Sequence, residues 1–153
     1  MRIRMFCFAC VVILMLGAAG LSLGRNTRKT VGGSAIVIPG NINSLKLGKD
    51  KAVSEEADEF EVKETIYAVA EISGVEGPVV VKGRLLVDDV PGQQRGPIPG
   101  LEATLNMASE GRADFNFSAP TNGWPKGKYI VQVVVIGGDG QVIDKKEAEF
   151  SVE

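Results

Sequence analysis

The chain has 153 residues, 17 basic against 19 acidic for a formal net charge of −2, and no histidine. That balance offers no cationic surface for nucleic acid. The missing imidazole removes the commonest general base, the Ser-His-Asp triad and the usual zinc and copper ligands.

The chain opens with MRIRMFCFACVVILMLGAAGLSLG (1–24): Arg2 and Arg4, an apolar run from Met5 to Leu16, then small residues at Ala18, Ala19, Gly20, Ser22 and Gly24. This is the three-part layout of a secretory signal peptide, with cleavage after Gly20 or after Gly24. An uncleaved membrane anchor is the alternative, because the uncharged run approaches the ~20 residues that a spanning helix needs. The drop in hydrophobicity after Leu16, and Arg25, Arg28 and Lys29 beyond it, weigh toward cleavage. The expectation is an N-terminal signal helix and an exported protein, periplasmic or extracellular, with no membrane insertion after cleavage. Both cysteines, Cys7 and Cys10, fall inside this segment, and Cys10 is followed by the apolar Val-Val-Ile-Leu-Met-Leu, which argues against lipidation there. The remaining chain then has no thiol to bridge, and its length suits one domain that closes a core without a metal or a disulfide.

Residues 25–33, RNTRKTVGG, read as a linker, and 34–153 as the domain. SAIVI (34–38) and NINSLKL (41–47) are two short strands around Pro39-Gly40. SEEADEFEVKE (54–64) supports a single helical turn at most. FEVKETIYAVAEI (60–72) reads as one strand with Phe60, Val62, Ile66, Ala68, Ala70 and Ile72 on one face, interrupted by Glu64. VVVKGRLLV (79–87) is a second amphipathic strand.

The segment DDVPGQQRGPIPG (88–100) carries three prolines and three glycines between Pro91 and Gly100. It reads either as a binding loop presenting Gln93, Gln94 and Arg95 or as a long sheet-crossing connection. LEATLNM (101–107), with Leu101, Ala103, Leu105 and Met107 inward, and RADFNFS (112–118), with Ala113, Phe115 and Phe117 inward, form a hairpin through ASEG. Asn116, on the outward phase, heads an Asn-Phe-Ser glycosylation sequon. KYIVQVVVI (128–136), apolar on both faces apart from Lys128 and Gln132, is a central strand. After GGDG the chain ends in a strand whose Val142, Ala148, Phe150 and Val152 alternate with charged neighbours. Seven or eight such strands between Gly- and Pro-rich turns predict an all-β antiparallel sandwich.

Chemistry is sparse in this pattern. Glu55, Glu56, Asp58, Glu59 and Glu61 crowd one stretch and Asp88-Asp89 ends a strand, but no calcium-loop spacing is present. A solvated acidic edge that discourages strand pairing accounts for them. Acids adjacent along a strand face opposite sides, so they do not form the carboxylate pair of a glycosidase. No catalytic residue, metal or cofactor is expected.

The tail carries a resemblance. GWPKGKY (123–129), then a strand, then Asp139-Gly140, then a strand ending Phe150-Ser151-Val152, resembles the C-terminal half of bacterial exported immunoglobulin-like domains. EFEVKETIYAV is similar to their earlier strand. The likeness covers 60–72 and 115–153 and implies an Ig-like sandwich, a fold shared by modules of many functions. Gly127-x-Tyr129 also resembles the tyrosine corner, which implies a hydrogen bond from Tyr129 back into the preceding loop. The inter-sheet cysteine pair of antibody domains is lacking. A copper-carrying periplasmic sandwich has a similar tail, but its chemistry rests on histidines, so copper is not expected. Trp124, Pro125, Gly127 and Tyr129 are read as a structural corner in which Trp124 is a packing peg. The expected function is a non-catalytic exported module contacting a protein or cell-envelope component through 88–100 or an edge strand. The alternative is a small-ligand or carbohydrate-binding module stacking its ligand on Trp124 and Tyr67.

Overall fold

The computed structural model describes residues 41–153; the signal segment expected at 1–24, the linker expected at 25–33 and the strand expected at 34–38 lie outside the described residues. Eight strands follow in order: β1 (Asn41–Gly48), β2 (Glu59–Phe60), β3 (Ile66–Ser73), β4 (Val79–Asp89), β5 (Gly96–Met107), β6 (Gly111–Phe117), β7 (Gly127–Ile136) and β8 (Val142–Val152). They build a three-stranded sheet, β1-β3-β6, and a five-stranded sheet, β2-β8-β7-β4-β5, with no helix among the described residues. Every pairing is antiparallel except β2 with β8, which is parallel and corrects the purely antiparallel expectation.

Alternation explains the packing. Ile66, Ala68, Ala70 and Ile72 from β3, with Ala113, Phe115 and Phe117 from β6, are buried against Val79, Val81, Leu85 and Val87 of β4 and Tyr129, Val131, Val133 and Val135 of β7. Each fully buried aliphatic or Phe side chain contributes ~1.5 to 3 kcal/mol of transfer free energy. β7 lies at the middle of the larger sheet, and even its outward Ile130 and Gln132 are buried. The two sheets meet closely where the Phe115 ring of β6 lies over Gly83 of β4. With β6 seated over β4, the inner residues of β5, Leu101, Ala103, Leu105 and Met107, pass the margin of the smaller sheet and are only partly buried.

Four further expectations are corrected. Residues 60–72 are not one strand: β2 ends at Phe60, and the chain turns at 61–64 to cross from the five-stranded to the three-stranded sheet. The Glu64 amide donates to the Glu61 carbonyl at 3.0 Å, and the Glu61 amide donates to the Glu64 carboxylate at 2.8 Å. The residue that interrupted the apolar face is therefore the group that closes the turn. Next, 54–58 contains no helical turn; the Ala57 amide instead donates to the Leu47 carbonyl at 2.9 Å, along the free side of β1.

The expected loop 88–100 is mostly strand, since β4 runs to Asp89 and β5 starts at Gly96. Pro97 and Pro99 are tolerated inside β5 because it is an edge strand that owes no amide to a further neighbour. Finally, Val142 is 61% exposed rather than inward. A register shift between Val135 and Ile136 puts Val142 opposite Ile136 and Asp144 opposite Val135, so Ile143 packs on the core in its place. One extra residue reverses which face each side chain occupies.

That bulge gives β8 inward-phase charges with a job. Asp144 accepts the Ile42 amide at 2.8 Å, and the Lys146 ammonium donates to the carbonyls of Ile42 at 3.1 Å and Asn43 at 2.9 Å. These side chains supply to the edge of β1 the partners that another strand would offer, which blocks edge pairing there.

On the outer face of the larger sheet, Arg84, Gln132 and Glu147 stand opposite one another on β4, β7 and β8. The Arg84 guanidinium donates to the Gln132 carbonyl oxygen at 2.6 Å, and the Gln132 amide donates to Glu147. That amide, then the Lys145 ammonium at 3.0 Å, holds the Glu147 carboxyl below its ordinary value. A carboxyl depressed in the folded state stabilises it above the unfolded pKa, and the contribution disappears as pH falls through the folded value. Titration of Glu147 by carboxyl NMR is expected to give a pKa below the ordinary one in the wild type, moving up toward it in Gln132→Ala. An unchanged titration would refute the ladder.

Candidate functional site

The segment between β6 and β7 is fixed from both ends. The Trp124 amide donates to the Val62 carbonyl at 2.6 Å and its indole nitrogen to the Glu64 carbonyl at 2.9 Å, so this residue grips the crossing turn between β2 and β3. Its side chain is buried, at 3% exposure. Gly123 has φ of 80°, and a Cβ there would meet the Val62 carbonyl oxygen at 2.7 Å, so both backbone conformation and contact demand glycine. Past Pro125 the chain enters β7, where the Tyr129 hydroxyl donates to the Pro125 carbonyl at 2.7 Å. Burial pushes the Tyr129 phenol above its ordinary pKa, which keeps the donor protonated.

Aromatic contacts extend the corner into the core. Trp124 meets Tyr129 edge-on with centroids 6.2 Å apart, Tyr129 stacks on Phe150 at 5.4 Å, and Phe150 meets Phe60 edge-on at 5.3 Å. The Lys49 ammonium lies 5.7 Å from the Phe60 centroid and pairs with Glu64 at 2.9 Å. The Glu61 amide, then Lys49, holds the Glu64 carboxyl below its ordinary value.

Between this corner and the β4–β5 turn lies a cavity of about 230 Å³. Trp124, Pro125 and Tyr129 form one wall, Ile98 and Leu101 of β5 another, and Pro120 and Gln93 border it. The fold thus joins one residue of the candidate loop to three of the four corner residues. The Gln93 backbone N–H donates to the Val90 carbonyl at 3.0 Å and closes the turn. Gln94 and Arg95 are exposed and do not line the cavity, and Arg95 pairs instead with Asp88 at 2.7 Å. Gly127, the fourth corner residue, packs under the β4 end, where a Cβ would meet the Asp89 carbonyl oxygen at 2.5 Å. Periodicity placed Leu101 inward without linking it to a site, and it missed Ile98 and Pro120. Gly100, with φ of 81°, breaks the alternation between Ile98 and Leu101 that would have linked them.

Tyr67 belongs elsewhere. It lines a separate depression of about 310 Å³ with Lys51, Asp114 and Asn116 on the outer face of the smaller sheet. The acidic residues Glu55, Glu56, Asp58, Glu59 and Glu61 are exposed, with Glu56 paired to Lys46. No group of three or more metal-ligating side chains converges among the described residues.

No family model and no curated protein matches this chain. Solved structures show partial likeness. The soluble domain of PmoD from a Methylocystis species is 19% identical with a TM-score of 0.40, covering 71% of this chain and 89% of its own. The alkylpurine DNA glycosylase AlkC of Pseudomonas fluorescens is 14% identical with a TM-score of 0.44, over 74% of this chain and 30% of that one. A β-glucosidase of Listeria innocua is 17% identical with a TM-score of 0.41, over 71% of this chain and 16% of that one. The chain therefore spans a minor part of both enzymes. At these scores the reading of the site rests on the chain's own geometry.

The geometry offers a mainly apolar recess with the Gln93 side chain at its rim. Small-molecule sites commonly enclose about 300 to 1,000 Å³. A recess of about 230 Å³ is sized for one or two side chains.

Proposed function

We propose that residues 34–153 are an immunoglobulin-like β-sandwich module of the bacterial exported kind, which binds a protein or cell-envelope component and performs no catalysis. The signal-like segment 1–24 supports export to the periplasm or beyond. Two facing sheets and the Tyr129-to-Pro125 hydrogen bond support the Ig-like assignment. The observation that carries the binding role is the recess under the β4–β5 turn, where Gln93 adjoins the half-buried apolar Ile98 and Leu101. A partner's apolar side chain enters the recess and Gln93 hydrogen-bonds its backbone, the arrangement of a binding anchor surrounded by a polar rim. Stacking of a sugar on Trp124 is disfavoured because no ring face is free at 3% exposure, and Tyr67 lines a different depression.

The test is a photo-crosslinking residue at Gln93 in the exported chain in cells. A discrete protein adduct that Ile98→Arg abolishes, with the melting temperature unchanged, is the expected result. Equal labelling from Gln93 and from Glu110 on the distant hairpin would overturn the site. Glycan-array binding would transfer the assignment to the carbohydrate reading.

A further inference from the structure

We infer that the free edge of β5 between Leu101 and Met107 pairs antiparallel with the same segment of a second copy of this chain. β5 ends the larger sheet, so one side of its backbone has no neighbouring strand among the described residues. The other edges are treated differently. β1 is capped by Asp144, Lys146 and Ala57. β8 is covered at its end by β2, where the Ser151 amide donates to the Asp58 carbonyl at 2.8 Å and the Glu153 amide to the Phe60 carbonyl at 3.0 Å. β6 has only seven residues and carries the Arg112–Asp114 ion pair. β5 is the longest strand among the described residues, at 12 residues. Its first half is blunted by Pro97, Pro99 and the positive φ of Gly100, but from Leu101 onward it has no proline and a single charge, Glu102. Short, charged or covered edges are how sheets avoid pairing, and of those devices this stretch has only the lone charge of Glu102.

The occupant follows from what the stretch presents. Inward it offers the half-buried Leu101, Ala103, Leu105 and Met107, beyond the margin of the smaller sheet, and outward the exposed Glu102, Thr104 and Asn106. Under a two-fold axis the strand complements itself. In one register Ala103 meets its own copy, Leu101 meets Leu105 and Glu102 meets Thr104. In the next, Thr104 meets its copy, Leu101 meets Met107, and Glu102 meets Asn106. Both put apolar against apolar on one face and never oppose Glu102 to a second carboxylate, which are the pairings that favour a cross-strand contact. Closed two-fold pairing is also the commonest form of self-assembly.

The described residues contain no cysteine, so single cysteines report this edge cleanly. The exported chain is used with Cys7→Ser and Cys10→Ser, so that any retained signal segment brings no thiol. Sedimentation equilibrium is expected to give twice the chain mass. Oxidation is expected to link Ala103→Cys or Thr104→Cys, whichever faces its copy, into covalent dimers while leaving Asn116→Cys on β6 unlinked. Glu102→Lys with Thr104→Lys opposes lysine to lysine in either register, at two exposed positions, and is expected to return the mass to one chain with the melting temperature unchanged. A wild type that sediments as one chain at its solubility limit, crosslinking equal at all three cysteines, or a dimer that persists in the double lysine variant would each overturn the pairing. A different extended polypeptide on this edge would give the first of those outcomes. The proposal stands apart from the recess at Gln93, because self-association reports β5 and adducts to another protein report the recess.

Discussion

Trp124→Ala is expected to lower stability by ~3 to 5 kcal/mol, the range for removing a large buried aromatic side chain. At about 4 °C per kcal/mol for a domain near this size, the melting temperature falls by roughly 12 to 20 °C. The reason is the position of the side chain as much as its bulk. It is 3% exposed, it meets Tyr129 edge-on, and its indole N–H occupies the Glu64 carbonyl at 2.9 Å. Alanine removes the packing and leaves that part-buried carbonyl of the turn without its partner, a loss of ~1 to 3 kcal/mol by itself. Trp124→Phe separates the two contributions, since it keeps most of the ring contact and deletes only the donor. It should cost about 1 to 3 kcal/mol, well short of the alanine variant. Thermal denaturation of the three proteins followed by far-ultraviolet circular dichroism gives the comparison. An alanine variant that melts with the wild type would mean that the corner does not hold the crossing turn.

That crossing turn also shows why the sequence was partly opaque. Phe60 and Val62 share the phase of Ile66, Ala68, Ala70 and Ile72, so periodicity joins them into one strand although the chain changes sheets between them. Only the local bonds of Glu61 and Glu64, and the grip of Trp124 from far along the chain, reveal the break. The inner faces of β4, β6 and β7 were legible, because each lies on a regular strand where alternation maps directly to burial. Val142 was not, because the bulge that exposes it depends on pairing with β7. The candidate site was legible in pieces. Gln93 stood out only together with Gln94 and Arg95, as polar residues in a Pro- and Gly-rich stretch, and Trp124 as the single tryptophan. Their meeting depends on β4–β5 pairing and on the corner docking above it, neither of which leaves a local mark.

Gly83→Val is expected to be at least as damaging as the tryptophan change, and for a reason unrelated to backbone freedom. Gly83 is in regular strand on β4, with Ala103 and Val133 as its cross-strand neighbours, so propensity alone would predict a gain of about 0.5 to 1 kcal/mol on replacing it. Opposing this, a Cβ at Gly83 would lie 2.6 to 2.8 Å from three carbons of the Phe115 ring. Phe115 is itself 3% exposed and paired with Ala68 across β6 and β3, so the ring has no solvent to swing into. Overpacking of a filled core costs ~1 to 3 kcal/mol and occasionally more. Alanine should fall in that range, and valine, which adds two methyl groups beyond the clashing carbon, above it. The decisive measurement is a cycle with Phe115→Leu, which withdraws the ring. Gly83→Ala and Phe115→Leu together should be less harmful than their separate costs summed, by a coupling of about 0.5 to 3 kcal/mol in urea denaturation. Strict additivity, or a Gly83→Val variant more stable than the wild type, would show that the sheets do not meet at this pair, and β5 would then lose the argument that leaves its inner face beyond the smaller sheet.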